Sequence, residues 1–167
     1  MTARPIRLFG DPVLKTVCDP AVQVGTGFDD GVRALVADLV DSVQLPGRAG
    51  VAANQIGVTA RVFSYNVDGK VGYLINPVVV EVRGEKELIG EGCLSVPGLW
   101  FETARYPWAR ARGLDLDGNV VEVQGEGVLA QALQHETDHL DGLLYLDRLE
   151  KDVRRQAMKQ IRESDWF

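Results

Sequence analysis

Cysteine and histidine are scarce in this chain, with two of each among 167 residues. Cys18 and Cys93 are too few for a disulfide framework, which leaves burial or metal binding as their uses. Long apolar runs are missing too: none approaches the roughly 20 residues needed to cross a bilayer, so no membrane partner is expected. Positive charge is not in excess. The formal net charge of −6 excludes a general polyanion-binding surface and gives no support to sequence-specific nucleic-acid recognition. The amino end, Met1-Thr-Ala-Arg-Pro-Ile-Arg, has neither the apolar stretch of a secretory signal nor the Arg/Ser-rich character of a transit peptide, so the cytoplasm is the expected location. No repeat, low-complexity tract or composition break marks a linker. What is present is an ordinary globular composition, 46% apolar and 25% charged, and a single domain over residues 1–167 is expected.

Periodicity divides the chain. Pro5, Pro12 and Pro20 interrupt the first 25 residues, which read as irregular. Thr26 followed by Asp29 predicts a helix start, and Val32, Leu35, Val36, Leu39, Val40 and Val43 continue at helical spacing until Pro46-Gly47. Between Arg61 and Gly90, runs rich in Val, Ile and Tyr are punctuated by Asp68-Gly69 and Gly84, which predicts antiparallel strands joined by tight turns. A second pair is expected at 109–114 and 120–124, hinged at Asp117-Gly118. Helical spacing returns over 127–140 and again over 149–164. The order predicts an α+β fold: antiparallel strands packed around a central helix, with an amino-terminal and a carboxy-terminal helix.

That central helix carries His135-Glu136-Thr137-Asp138-His139, an HExxH motif. Residues four apart stack on one helix face, so both imidazoles reach one ion, and Glu136 leans toward the place of a bound water. These are the only two histidines in the chain. A catalytic ion usually takes three protein ligands, so a third donor must come from elsewhere. The protease pattern HExxHxxGxxH finds Gly142 in place but Tyr145 where its last histidine should stand. Two donors stay open: Cys93, a thiolate suited to iron or zinc in the apparent tight turn Glu91-Gly92-Cys93-Leu94-Ser95, and Glu163, placed as in another protease class. Three readings follow: a hydrolase using Cys93, a zinc endopeptidase using Glu163, or a non-catalytic metal-binding protein. On the helix itself, Val128, Gln131, Ala132 and His135 share a face.

Three separated segments, Gly50-Val51-Ala52-Ala53-Asn54-Gln55, Glu91-Gly92-Cys93-Leu94-Ser95 and Gln134-His135-Glu136-Thr137-Asp138-His139, give the chain a pattern that resembles the peptide deformylases. Leu74-Ile75-Asn76-Pro77 agrees with it. The resemblance implies removal of the formyl group from amino-terminal formyl-methionine in nascent chains and N-formyl-methionyl peptides. It implies Cys93, His135 and His139 as ligands of one divalent ion, natively Fe(II) and replaceable by Zn, Ni or Co, with a metal-bound water as nucleophile. It further implies Glu136 as general acid/base, Gln55 and the Leu94 N–H as oxyanion donors, Gly50 as a point of close substrate approach, and a salt bridge between Glu91 and Arg105. Val128, Gln131, Ala132 and His135 are then expected to line a pocket for the methionine side chain, with Ala49 and Ile89, which flank the other two motifs, completing its wall, and Asp138 is expected to orient a neighbour. The chain departs from the family pattern at Arg48, where glycine is usual, and at Trp100, where some relatives carry arginine. Substrate action on nascent chains also makes the basic face of the last helix (Lys151, Arg154, Arg155, Lys159, Arg162) a candidate for ribosome docking.

Overall fold

The computed structural model describes residues 2–167. The first helix, α1 (Asp30–Val43), starts one turn later than the sequence suggests: Asp29, not Thr26, is its N-cap, accepting from the Val32 N–H at 2.9 Å. Seven strands follow in two sheets. β1 (Gly50–Ala52), β2 (Val62–Val67), β3 (Lys70–Arg83), β6 (Trp108–Leu114) and β7 (Val120–Glu126) form an antiparallel sheet in the order β1-β2-β3-β6-β7. β4 (Glu87–Cys93) and β5 (Val96–Arg105) form a separate hairpin. The Asp68-Gly69 turn joins paired strands as expected, but Gly84 does not: β3 and β4 never pair, and this turn carries the chain from one sheet to the other.

Alternation along β2 and β3 explains why helices cover both faces of the larger sheet. Val62 pairs with Ile75, and both pack with Val51 against Leu35 and Leu39 of α1. The next residues, Phe63 and Leu74, also pair, and both face the other way, with Ala52, Ala109 and Ala111, against Ala130, Leu133 and Leu140 of α2 (Gly127–Leu140). The alanines let α2 approach closely enough to lie flat on the strands. The hairpin β4–β5 is backed by a third core, where Val96 meets Leu144, Tyr145 and Leu146 and the buried stripe of α3 (Lys151–Arg162), Ala157 and Ile161. α2 is therefore held by the large sheet on one side and faces the hairpin on the other. Among the described residues no helix is long and apolar enough to cross a membrane.

Gly142 owes its place to the end of α2. Its φ of +74° turns the chain out of the helix, and a Cβ there would lie 2.7 Å from the Lys15 carbonyl oxygen. The glycine that matched a protease pattern is a helix stop. Because Leu133 is fully buried between α2 and the sheet, Leu133→Ala is expected to cost about 2–5 kcal/mol, read from urea unfolding.

Candidate metal centre

The HExxH residues lie in α2 and project toward the hairpin. His135 and His139 present their Nε2 atoms to one another at 3.1 Å, and Cys93 Sγ is 3.4 Å from His139 Nε2. The donor atoms of Cys93, His135 and His139 all lie within 4.8 Å of one another. Metal–nitrogen bonds of about 2.1 Å and metal–sulfur bonds of about 2.3 Å at tetrahedral angles would separate such donors by about 3.4–3.6 Å, so the cradle fits one cation. Two imidazole nitrogens this close must share a proton or a cation. Glu163, the other candidate donor, is the exposed C-cap of α3 and takes no part in the cluster.

Cys93 reaches the cradle because it ends β4. The strand runs to Cys93, Leu94 and Ser95 make the turn, and Val96 pairs back, with a register shift between Glu91 and Cys93. The segment is thus a strand end and a turn together, where the sequence suggested a turn alone. The shift re-aims the sulfur toward the helix.

The ring of His135 is fixed by its far nitrogen. Nδ1 donates to Glu91 Oε2 at 2.6 Å, which leaves Nε2 free to coordinate. Glu91 in turn accepts from Arg105 through both oxygens, at 2.8 and 2.6 Å, and Arg105 Nη1 donates to Asp138 at 2.7 Å. The expected salt bridge is present, and Asp138 orients Arg105. Burial alone would raise the Glu91 carboxyl, but the hydrogen bonds and charges of Arg105 and His135 bring it down to about 2. Burial also opposes charge on His135, yet its hydrogen bonds to Cys93 and Glu91 hold its pKa well above the ordinary value. Surroundings that favour a proton there favour a cation for the same reason. Burial and the neighbouring His135 push His139 well below its usual value, toward the neutral form a ligand needs.

Glu136 stands beside the cradle, its Oε1 3.9 Å from His135 Nε2. Burial pushes its carboxyl up to about 7, and its Oε2 is buried without a hydrogen-bond partner. Gly50 makes room for it: a Cβ at position 50 would lie 2.6 Å from Glu136 Cγ. The sequence reading gave this glycine to close substrate approach; a side chain here would collide with the Glu136 carboxylate, and Gly50 also lines the neighbouring cavity. Gln55 is buried in the 3-10 turn Ala53–Ile56 that follows β1. Its Oε1 accepts from the Ala52 N–H at 2.9 Å, which aims Nε2 at Ser95 Oγ (3.2 Å) and Cys93 Sγ (3.7 Å).

A cavity of about 610 Å³ opens onto this group. Ala49, Val128, Gln131, Ala132 and His135, the residues expected at a pocket wall, line it together with Gly50 and Leu94, and so do both departures, Arg48 and Trp100. Gln131 donates to the Gly90 carbonyl at 3.0 Å, so its amide serves the wall and leaves the interior apolar. Ile89 is half-buried in β4 and is not among the residues that line this cavity. Three contributors carry no local sequence signal. Asn54 donates to the His139 carbonyl at 2.5 Å, Tyr145 lies against His135 with ring centroids 6.2 Å apart, and Arg148 pairs with Asp138.

The description "polypeptide deformylase" belongs to the family whose sequence pattern matches residues 3–155. The chain belongs to the polypeptide deformylase family. It is 48% identical to a peptide deformylase of Acidothermus cellulolyticus over 99% of this chain and 89% of that one. It is 44% identical to peptide deformylase 1 of Corynebacterium efficiens, over 100% and 99%. Among solved structures, a Legionella pneumophila peptide deformylase superposes with a TM-score of 0.87 at 33% identity, covering 97% of this chain and 95% of that one. A Synechococcus elongatus peptide deformylase in complex with actinonin gives 0.85 at 27% identity, over 98% and 90%. The α+β arrangement is that of the polypeptide deformylases.

Because Gly50 and Glu136 share one space, Gly50→Ala is expected to displace the carboxylate and lower kcat by about 10²-fold or more while the protein stays folded. Steady-state kinetics beside circular dichroism checks this.

Proposed function

We propose that this chain, as one catalytic domain over residues 1–167, hydrolyses the N-formyl group from amino-terminal formyl-methionine of newly made proteins and releases formate. One observation carries the reading: the convergence of Cys93, His135 and His139 within 4.8 Å, at a cavity that Glu136 and Gln55 also line. The setting is cytoplasmic, and the substrates are nascent chains and formyl-methionyl peptides. A divalent ion held by those three residues, natively iron(II) with zinc, nickel or cobalt as substitutes, supplies Lewis acidity toward a water and the formyl oxygen.

The chain's own residues do the rest. Glu136 accepts the proton of the attacking water and returns it to the departing amine, a task that suits a carboxyl pushed up to about 7 by burial. Gln55 Nε2 and the Leu94 N–H donate to the oxygen that gains charge. Ala49, Val128 and Ala132 give the methionine side chain an apolar wall. Glu91 and Arg105 keep His135 in the right tautomer. Trp100, 73% exposed at the cavity mouth, offers an aromatic face to the residues that follow methionine.

On the same reading, the ribosome is a partner. α3 buries Ala157 and Ile161 and leaves Lys151, Arg154, Arg155, Lys159 and Arg162 exposed, a basic face we assign to docking there. Reversing those five charges is expected to abolish ribosome co-sedimentation, and unchanged co-sedimentation would discard the assignment.

Two substitutions separate the readings of the site. Cys93→Ser is expected to empty it of metal while Glu163→Gln leaves metal content at the parental level, as elemental analysis would read. The opposite result would point to a zinc endopeptidase. Glu136→Ala is expected to keep its metal and lose formate release from formyl-Met-Ala; retained release would overturn the role given to Glu136, and a parental protein that binds metal but releases no formate would leave only a metal-binding protein.

A further inference from the structure

The second carboxylate of the buried chain behind His135 has a partner that the site's chemistry does not otherwise use. Asp138 accepts from Arg105 on one side, and on the other from Arg148 through both of its oxygens, at 2.8 Å from Nη2 and 3.1 Å from Nε. Arg148 arrives there because α2 stops at Gly142. The Leu143 N–H donates back to the Asp138 carbonyl at 2.9 Å, and the following 3-10 turn, Tyr145–Arg148, folds over the helix end. That turn touches the site twice, since Tyr145 lies against the His135 ring and Arg148 against Asp138.

We infer that Arg148 is a positioning residue for the metal cradle, acting through Asp138, Arg105 and Glu91 on the imidazole of His135. The inference rests on the ligand reading proposed above. Its physical basis is charge balance in a buried place. Glu91 and Arg105 each expose 3% of their side chains, and Asp138 exposes 10%. With Arg148 present, two carboxylates share two guanidiniums. Without it, both carboxylates compete for Arg105, whose Nε and Nη2 serve Glu91 while Nη1 serves Asp138. A guanidinium drawn toward Asp138 loosens its fork on Glu91, and Glu91 then holds the His135 Nδ1–H less firmly. Arg148 does this without reaching substrate. It faces a separate cleft of about 230 Å³ that Asp138, Gln134 and Thr137 also line, and it is not among the residues of the substrate cavity.

The test uses the full chain and zinc, with affinity read by chelator competition. Arg148→Met keeps the aliphatic stem and deletes the fork. It is expected to weaken zinc binding by about tenfold or more, the effect common when a group that orients a ligand is lost. Arg148→Lys, which keeps charge but not the bidentate geometry, falls between the two. Loaded with metal, Arg148→Met loses kcat on formyl-Met-Ala with KM unchanged. Arg33→Met, on the exposed face of α1, keeps parental affinity. A merely structural role would lower the thermal midpoint of the metal-free protein and leave zinc affinity alone, and that result overturns the inference. If Arg148→Met does not fold, Arg148→Lys decides: weaker zinc binding supports the inference and parental binding overturns it. A parental protein that takes up no zinc would instead overturn the ligand reading itself, and this inference with it.

Discussion

A guanidinium held in the interior between two carboxylates is the constraint from which the site follows. Arg105 could not be buried alone, since an unpaired charge there would be far too costly. Glu91 neutralises it from the hairpin and Asp138 from the helix, so satisfying one charge fixes two elements relative to each other. Glu91 has a second duty, because the oxygen that accepts from Arg105 Nη2 also accepts from the His135 ring. The tautomer of a proposed ligand is thereby settled by a residue outside the cluster of Cys93, His135 and His139.

The environment divides roles between groups that look alike in the sequence. Glu91 and Glu136 are both buried glutamates, yet one is brought down to about 2 by its cationic partners and the other is pushed up to about 7 by burial. One is a permanent anion that orients, and the other can change its protonation near neutral pH. Glu136, the glutamate proposed to move protons, has a buried oxygen with no hydrogen-bond partner, and its side chain fills the space left by a glycine.

The sequence was most legible where chemistry demands rare residues at fixed spacing. Two histidines four apart on a helix, in a chain with no others, announced both the element and its purpose, and the structure supports the placement with Cys93 rather than Glu163 at the cradle. The helices and most strands followed from periodicity. β5 was not assigned from sequence, since Pro97 and Gly98 interrupt its start and the unbroken apolar run Leu99-Trp100-Phe101 that follows shows no alternation. Gly84 was read as a hairpin turn because a turn residue does not say which strands will pair beyond it. Arg148 was silent for a related reason: its partner is ten residues away across a helix stop, and no local pattern encodes that contact.

The division of the polypeptide into a large sheet with its helices and a separate β4–β5 hairpin gives the cradle a mechanical meaning. Two ligands ride on α2, which is pressed against one layer, and the third hangs from the tip of the other. Any ion gripped by all three is a cross-brace between layers that share no strand pairing, and its occupancy adds to the free energy that keeps them together. Catalytic competence and mechanical cohesion are then lost through the same vacancy, so a molecule stripped of its ion would be both idle and easier to pull apart.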